Sequence, residues 1–325
     1  MRRAAFVPAL VALLLAAGCG SSETDTQPQP TPQPTAKKED FPSAKGKTLD
    51  SLRADLPKGP NLEPTMTTVS VGKQRFGFVL RDDANKLISG ADLAIYTTDH
   101  DGSNARGPYL AHSESLDVRT NFRAQNTDPG DAKSIYVAEV PIKRPGKPVI
   151  TGVARLDGRL VATTGFEIPV QKPGTKGLPP EVGDQAISVD TPTITSVGGD
   201  AAKISTRIPP AEPMLRENLA DVLGKKPVVL VFATPQLCAS RICGPVVDVA
   251  MQVQADHGDG IAFIQQEIYR DNDISKGYTP QVQAWRLPTE PWIFVIDREG
   301  IIRARFEGAV SVGELERAVA LVAPS

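Results

Sequence analysis

The chain has 325 residues, room for two ordinary domains of about 100–200 residues each. A formal net charge of -2 leaves no basic footprint for nucleic acid, and three histidines leave little for histidine-based metal or acid–base chemistry. Three cysteines, Cys19, Cys238 and Cys243, therefore carry most of the chemical information.

Residues 1–19 read as an export signal: Arg2 and Arg3 lead an apolar run, Ala4 to Ala17, too short to span a bilayer comfortably. The run ends Leu15-Ala16-Ala17-Gly18-Cys19, which resembles the bacterial lipobox, with Ala16 where that motif more often has Leu. The resemblance implies a lipoprotein signal peptide cleaved before Cys19 and a lipid on its sulfur. It places the chain on the cell membrane, lipid-anchored and facing the extracytoplasmic side. Cys238 and Cys243 then remain as a pair in an oxidising compartment, where disulfides persist.

Residues 20–60 are rich in Pro, Gln and Thr and read as a disordered, extended tether. Over 61–171, strand-like stretches (68–80, 91–98, 134–142, 149–156, 160–170) alternate with turn residues, and Leu156-Asp157-Gly158-Arg159-Leu160 is a hairpin signal. This pattern looks like an all-β immunoglobulin-like sandwich, although it lacks the cysteine pair and tryptophan of antibody domains. It carries no catalytic constellation and suits a spacer or partner-binding role. Residues 172–202 read as a linker.

From residue 203 the pattern changes. Pro227 to Ala233 is a doubly buried strand candidate, 245–255 a helix with Pro245 in its first turn, and 261–268 and 292–296 further buried strands. Ile301 to Phe306 follows a turn, and Ser311 with Glu314 caps a closing helix. Cysteines directly after the first strand (Cys238-Ala239-Ser240-Arg241-Ile242-Cys243-Gly244-Pro245), then Pro291-Trp292-Ile293-Phe294-Val295-Ile296-Asp297 with Glu299-Gly300, resemble the thioredoxin-like fold over 203–325. The expected class is thus multi-domain, an all-β immunoglobulin-like sandwich followed by an α/β thioredoxin-like fold. The resemblance implies that Pro291 is cis and that its loop lies beside the thiols, shaping a substrate groove.

The spacing departs from the family, with four residues between the cysteines instead of two. Positions five apart on a helix are about 8.7 Å apart at Cα, beyond the roughly 4.4–6.8 Å a disulfide tolerates. The pair can close only if the segment is a loop and the helix starts near Pro245. Counted from the strand, Cys238 matches the family's nucleophile; counted from the helix, Cys243 does. The helix N-terminus favours Cys243 as the lower-pKa thiol. Val231 stands where thioredoxins bury an Asp, Gln236 and Leu237 replace the aromatic before the first cysteine, and Glu290 precedes Pro291, where a carboxylate would raise thiol pKa.

These residues point to a thiol–disulfide oxidoreductase with a redox-active Cys238/Cys243 disulfide, acting on a protein or small-molecule thiol or disulfide, with no cofactor, no metal and no nucleic acid. A purely structural disulfide closing so small a ring would contribute only about 2 kcal/mol. One alternative is a non-enzymatic binding or scaffold lipoprotein. Another is a peroxiredoxin-like peroxidase, from Thr234-Pro235, with Gln236 and Leu237 displacing the threonine from that family's register. Copper delivery lacks a suitable histidine, since His257 reads as a surface residue, though two thiols alone can still take a soft ion. Glu267 and Arg286 read as surface charges, and Trp285 and Trp292 as packing.

Overall fold

A computed structural model describes residues 36–127, 129–172 and 174–323. Cys19, the export signal and the proline-rich stretch through residue 35 lie outside the described residues. Among those described, no helix is long and apolar enough to cross a membrane.

The first unit holds helix α1 (Leu49–Arg53) and strands β1 (Asn61–Pro64), β2 (Val69–Ser70), β3 (Gly72–Arg81), β4 (Leu87–Ile88) and β5 (Asp92–Thr98). It continues with β6 (Arg106–Ser115), β7 (Ser134–Ile142), β8 (Val149–Leu156), β9 (Arg159–Glu167) and β10 (Val170–Gln171). Its principal sheet is antiparallel in the order β1-β3-β7-β6-β5-β8-β9, with β4 on β3. The expected hairpin joins β8 to β9, with Asp157 (φ 49°) and Gly158 (φ 76°) both left-handed, as a tight two-residue turn requires.

The all-β reading holds, but the two facing sheets of a sandwich are replaced by one sheet wrapped into a barrel-like form. The cause is β6, which pairs with both β5 and β7 and so fuses the two halves. Its mixed, half-buried sequence, Arg-Gly-Pro-Tyr-Leu-Ala-His-Ser-Glu-Ser, gives no clean alternation. The ends of the sheet then meet: Gly59 N donates to Ala162 O (2.7 Å) and Thr164 N to Pro60 O (3.1 Å).

Alternation along the strands fills the interior with Phe76, Phe78, Leu80, Ile95, Tyr136 and Ile150. The outer face of β5 and β8 is covered too. Ala94, Tyr96 and Val153 pack on Phe41, Ala44 and Leu52, and the Tyr96 hydroxyl donates to Pro42 O at 2.8 Å. The disordered tether expected over 20–60 does not extend over 36–60: those residues carry enough apolar surface to close this side of the sheet.

The second unit holds α2 (Leu219–Val222), β11 (Val228–Phe232), α3 (Cys243–His257), β12 (Ala262–Gln266), α4 (Pro280–Trp285), β13 (Trp292–Ile296), β14 (Ile302–Glu307) and α5 (Val312–Val319). Its sheet order is β12-β11-β13-β14, with β11 parallel to β12 and the other neighbours antiparallel. β11 and β13 are buried throughout, as their continuous apolar runs predict. Helices α3 and α5 cover one face, and Leu219, Val282 and Trp285 the other. The expected capping box is present, with Ser311 Oγ accepting from Glu314 N at 3.1 Å.

Within the expected linker 172–202, residues 174–202 pack on this unit. Ala186 is buried and its N donates to Gly300 O at 2.8 Å, while Thr191 Oγ1 accepts from Leu219 N at 2.9 Å. Short apolar residues among prolines and glycines were enough to dock the segment, which hydropathy alone does not reveal.

The two units share a core: Val79, Ile135 and Val137 of the sheet join Val247, Val310 and Leu315. Around it, Arg75 makes a two-point ion pair with Glu314 (2.6 and 2.7 Å). Glu307 accepts from Thr67 N and Oγ1, Thr68 N and Thr289 Oγ1 at 2.7–2.9 Å. Arg207 meets Asp248 of α3 at 2.8 Å, whose other oxygen accepts from Ala124 N at 3.0 Å. The first unit therefore grips α3, α5 and the end of β14.

Candidate thiol site

β11 delivers the chain into a loop that carries Cys238, and α3 begins at Cys243, two residues earlier than the position of Pro245 suggests. Cys238 thus lies outside the helix and Cys243 is its first residue. The loop closes with Arg241 N donating to Cys238 O (3.3 Å) and Arg241 in a left-handed conformation (φ 58°). It also touches the first unit, where Ala132 N donates to Arg241 O at 3.2 Å.

Both cysteines are free thiols, Cys238 half-buried and Cys243 fully buried. The Cys238 sulfur takes a hydrogen bond from the Cys243 thiol, lies 3.1 Å from Ser240 Oγ, and accepts from the amides of Ile242 and Cys243. The Cys243 bond, then Ser240 and the amides, pull Cys238 down to about 5 despite burial. Cys243 moves the other way, pushed well above the usual thiol range by burial and then by Cys238. The expectation that Cys243 has the lower pKa is overturned. A residue inside the first helical turn points its sulfur into the core, while the one on the preceding loop meets the free amides.

Pro291 is buried and follows a cis peptide bond from Glu290. Glu290 brings a third group to the sulfurs: its carboxylate, Cys238 Sγ and Cys243 Sγ all lie within 4.8 Å of one another. Burial, then the nearby Cys238 and Glu267, push the Glu290 carboxyl up to about 8, against a hydrogen bond from Tyr269. Its Oε2 is buried without a hydrogen-bond partner among the described residues.

Glu267, expected on the surface, is 4% exposed. Its Oε1 accepts from Thr206 N (2.7 Å), Thr206 Oγ1 (3.0 Å) and Gln265 Nε2 (3.1 Å), and burial raises its pKa. Its place inside the apolar run 261–268 was the available signal. Arg286 is exposed as expected, its Nε donating to Leu178 O at 2.7 Å. Trp285 and Trp292 pack against Phe294 in the core. His257 pairs with Glu316 at 2.8 Å in the last turn of α3, about 20 Å along the helix from Cys243. It takes no part in the site. The Thr234 amide donates to the Cys243 sulfur, and its side chain reaches the Glu267 carboxylate.

A groove of about 850 Å³ runs beside the cysteine loop, walled by Thr67, Arg81 and Lys86 on one side and by Ser240, Arg241 and Glu290 on the other. The β-unit therefore forms one wall of the groove beside the cysteine loop.

No protein-family model matches the chain, and no curated protein matches it. Among solved structures, a thiol:disulfide interchange protein of the thioredoxin family from Chlorobium tepidum TLS aligns at 16% identity, over 44% of this chain and 98% of its own, with a TM-score of 0.31. The Lin-41 filamin domain aligns at 13% identity, over 36% of this chain and 98% of its own, with a TM-score of 0.19.

Proposed function

We propose that the chain is a membrane-anchored, extracytoplasmic thiol–disulfide oxidoreductase with Cys238 as the attacking sulfur and Cys243 as the resolving one. The observation that carries this reading is the apposition of two free sulfurs at the start of α3, one reachable and one buried, beside the loop of Pro291. The lipobox-like run ending at Cys19 supports the anchor.

The Cys238 thiolate attacks a substrate disulfide, forming a mixed disulfide and releasing the first substrate sulfur as a thiolate. Cys243 then loses its proton and attacks the Cys238 sulfur. The Cys238–Cys243 bond forms and the second substrate sulfur leaves. The protein loses two electrons, the substrate gains two, and an external dithiol reductant returns the pair to its starting state.

Reduction of insulin disulfides by the detergent-solubilised full chain, with a dithiol as electron source, tests this. The wild type should outpace a Cys243→Ser form; equal rates in the two would remove the resolving role and with it the reading.

A further inference from the structure

We infer that the reduced site is also a binding site for a divalent, borderline-soft metal ion of the zinc class, held by Cys238 Sγ, Cys243 Sγ and a carboxylate oxygen of Glu290. The three ligand atoms lie within 4.8 Å of one another. A tetrahedral zinc ion, with bonds of about 2.3 Å to sulfur and about 2.0 Å to oxygen, wants such atoms roughly 3.5–3.8 Å apart. The cluster needs only a contraction of about 1 Å to meet that geometry.

One observation beyond proximity points to an ion. Glu290 Oε2 is buried with no hydrogen-bond partner among the described residues, an arrangement that is unfavourable unless something fills the place. Three groups able to carry negative charge share this corner, Cys243 buried and the other two half-buried, and a divalent ion would satisfy all three.

The donor set selects the ion. Two thiolates disfavour magnesium and calcium, which take oxygen ligands. The carboxylate favours zinc, or cobalt as its substitute, over cuprous copper, which prefers sulfur alone. The fourth position is left for water or a ligand. Binding transfers no electrons: the ion displaces the protons still held by Cys243 and Glu290, which pass to solvent. A disulfide between the cysteines abolishes the site, so occupancy and oxidation exclude one another.

The test uses the reduced, detergent-solubilised full chain, titrated with Zn²⁺ against a chromophoric chelator and with Co²⁺ under an optical readout. Expected are a sulfur-to-cobalt charge-transfer band, its loss in Cys238→Ser and after oxidation, and zinc affinity at least about tenfold weaker in Glu290→Gln. Circular dichroism confirms that the variants are folded. Absence of the cobalt band, or wild-type zinc affinity in folded Glu290→Gln, overturns the proposal. Insulin reduction by chelator-treated protein is scored separately. Turnover without metal binding sinks this inference alone, and metal binding without turnover sinks the oxidoreductase reading alone.

Discussion

Cys238 and Glu290 approach within 4.8 Å and are driven in opposite directions, the thiol down to about 5 and the carboxyl up to about 8. Between those values the sulfur carries the charge and the carboxyl keeps its proton, so two neighbouring acids avoid being charged together. The hydrogen bonds received by Cys238 and the burial of Glu290 decide which one ionises first.

The first consequence is a thiol that stays reactive in acid. In chelator-treated, reduced protein, alkylation by iodoacetamide should follow Cys238 ionisation with a midpoint near pH 5, far below the usual thiol value of 9.0. Cys243, buried and pushed upward, should be alkylated only slowly. Mass mapping of the modified cysteine against pH checks both; dominant labelling of Cys243 would reverse the assignment.

A second expectation concerns stability. A carboxyl whose folded pKa is raised from 4.5 to about 8 holds its proton in the native state while the unfolded chain has lost it. Its contribution to stability is therefore present below about 4.5 and lost as pH rises toward 8. The lowered Cys238 acts with the opposite slope, so the comparison between proteins is what informs. Glu290→Gln should lose less melting temperature than the wild type from pH 5 to 8, with both reduced and free of metal. Parallel melting curves across that range would show that Glu290 does not hold its proton as described.

The contact between the units gives a third expectation. Gly308, at φ 83°, sits so close to the β-unit that an added Cβ would lie 2.2 Å from Thr65 O. Its N also donates to Pro291 O at 2.9 Å. Gly308→Ala should cost about 1–2 kcal/mol from backbone conformation alone, and more from the collision. Because the same residue braces Pro291, insulin reduction should fall as well. Denaturant unfolding and the activity assay read the two effects.

A fourth expectation rests on the buried pair Arg207–Asp248, only 2% and 5% exposed at their side chains. Asp248→Ala leaves a buried guanidinium uncompensated and should cost about 3–5 kcal/mol. The double change Arg207→Met with Asp248→Leu should recover part of that loss, because an apolar pair needs no charge balance. Chemical denaturation of the two proteins decides it.

Sequence alone determined those parts of the molecule that local physics controls. Apolar runs such as 228–232 and 292–296 are strands wherever they fall, Asp157-Gly158 is a turn, and Ser311 with Glu314 caps a helix, because near neighbours in the chain supply the energetics. It also brought Cys238, Cys243 and Pro291 into one argument through their order. Tertiary structure decided what depends on distant residues: which thiol meets free amides and which faces the core, that Glu267 is buried and Glu290 lacks a partner for one oxygen among the described residues, and that β6 wraps the sheet. It also decided that residues 36–60 and 174–202 dock instead of dangling. Burial and hydrogen-bond satisfaction are properties of packed surfaces, and neither the charge nor the spacing of a single segment records what will lie against it.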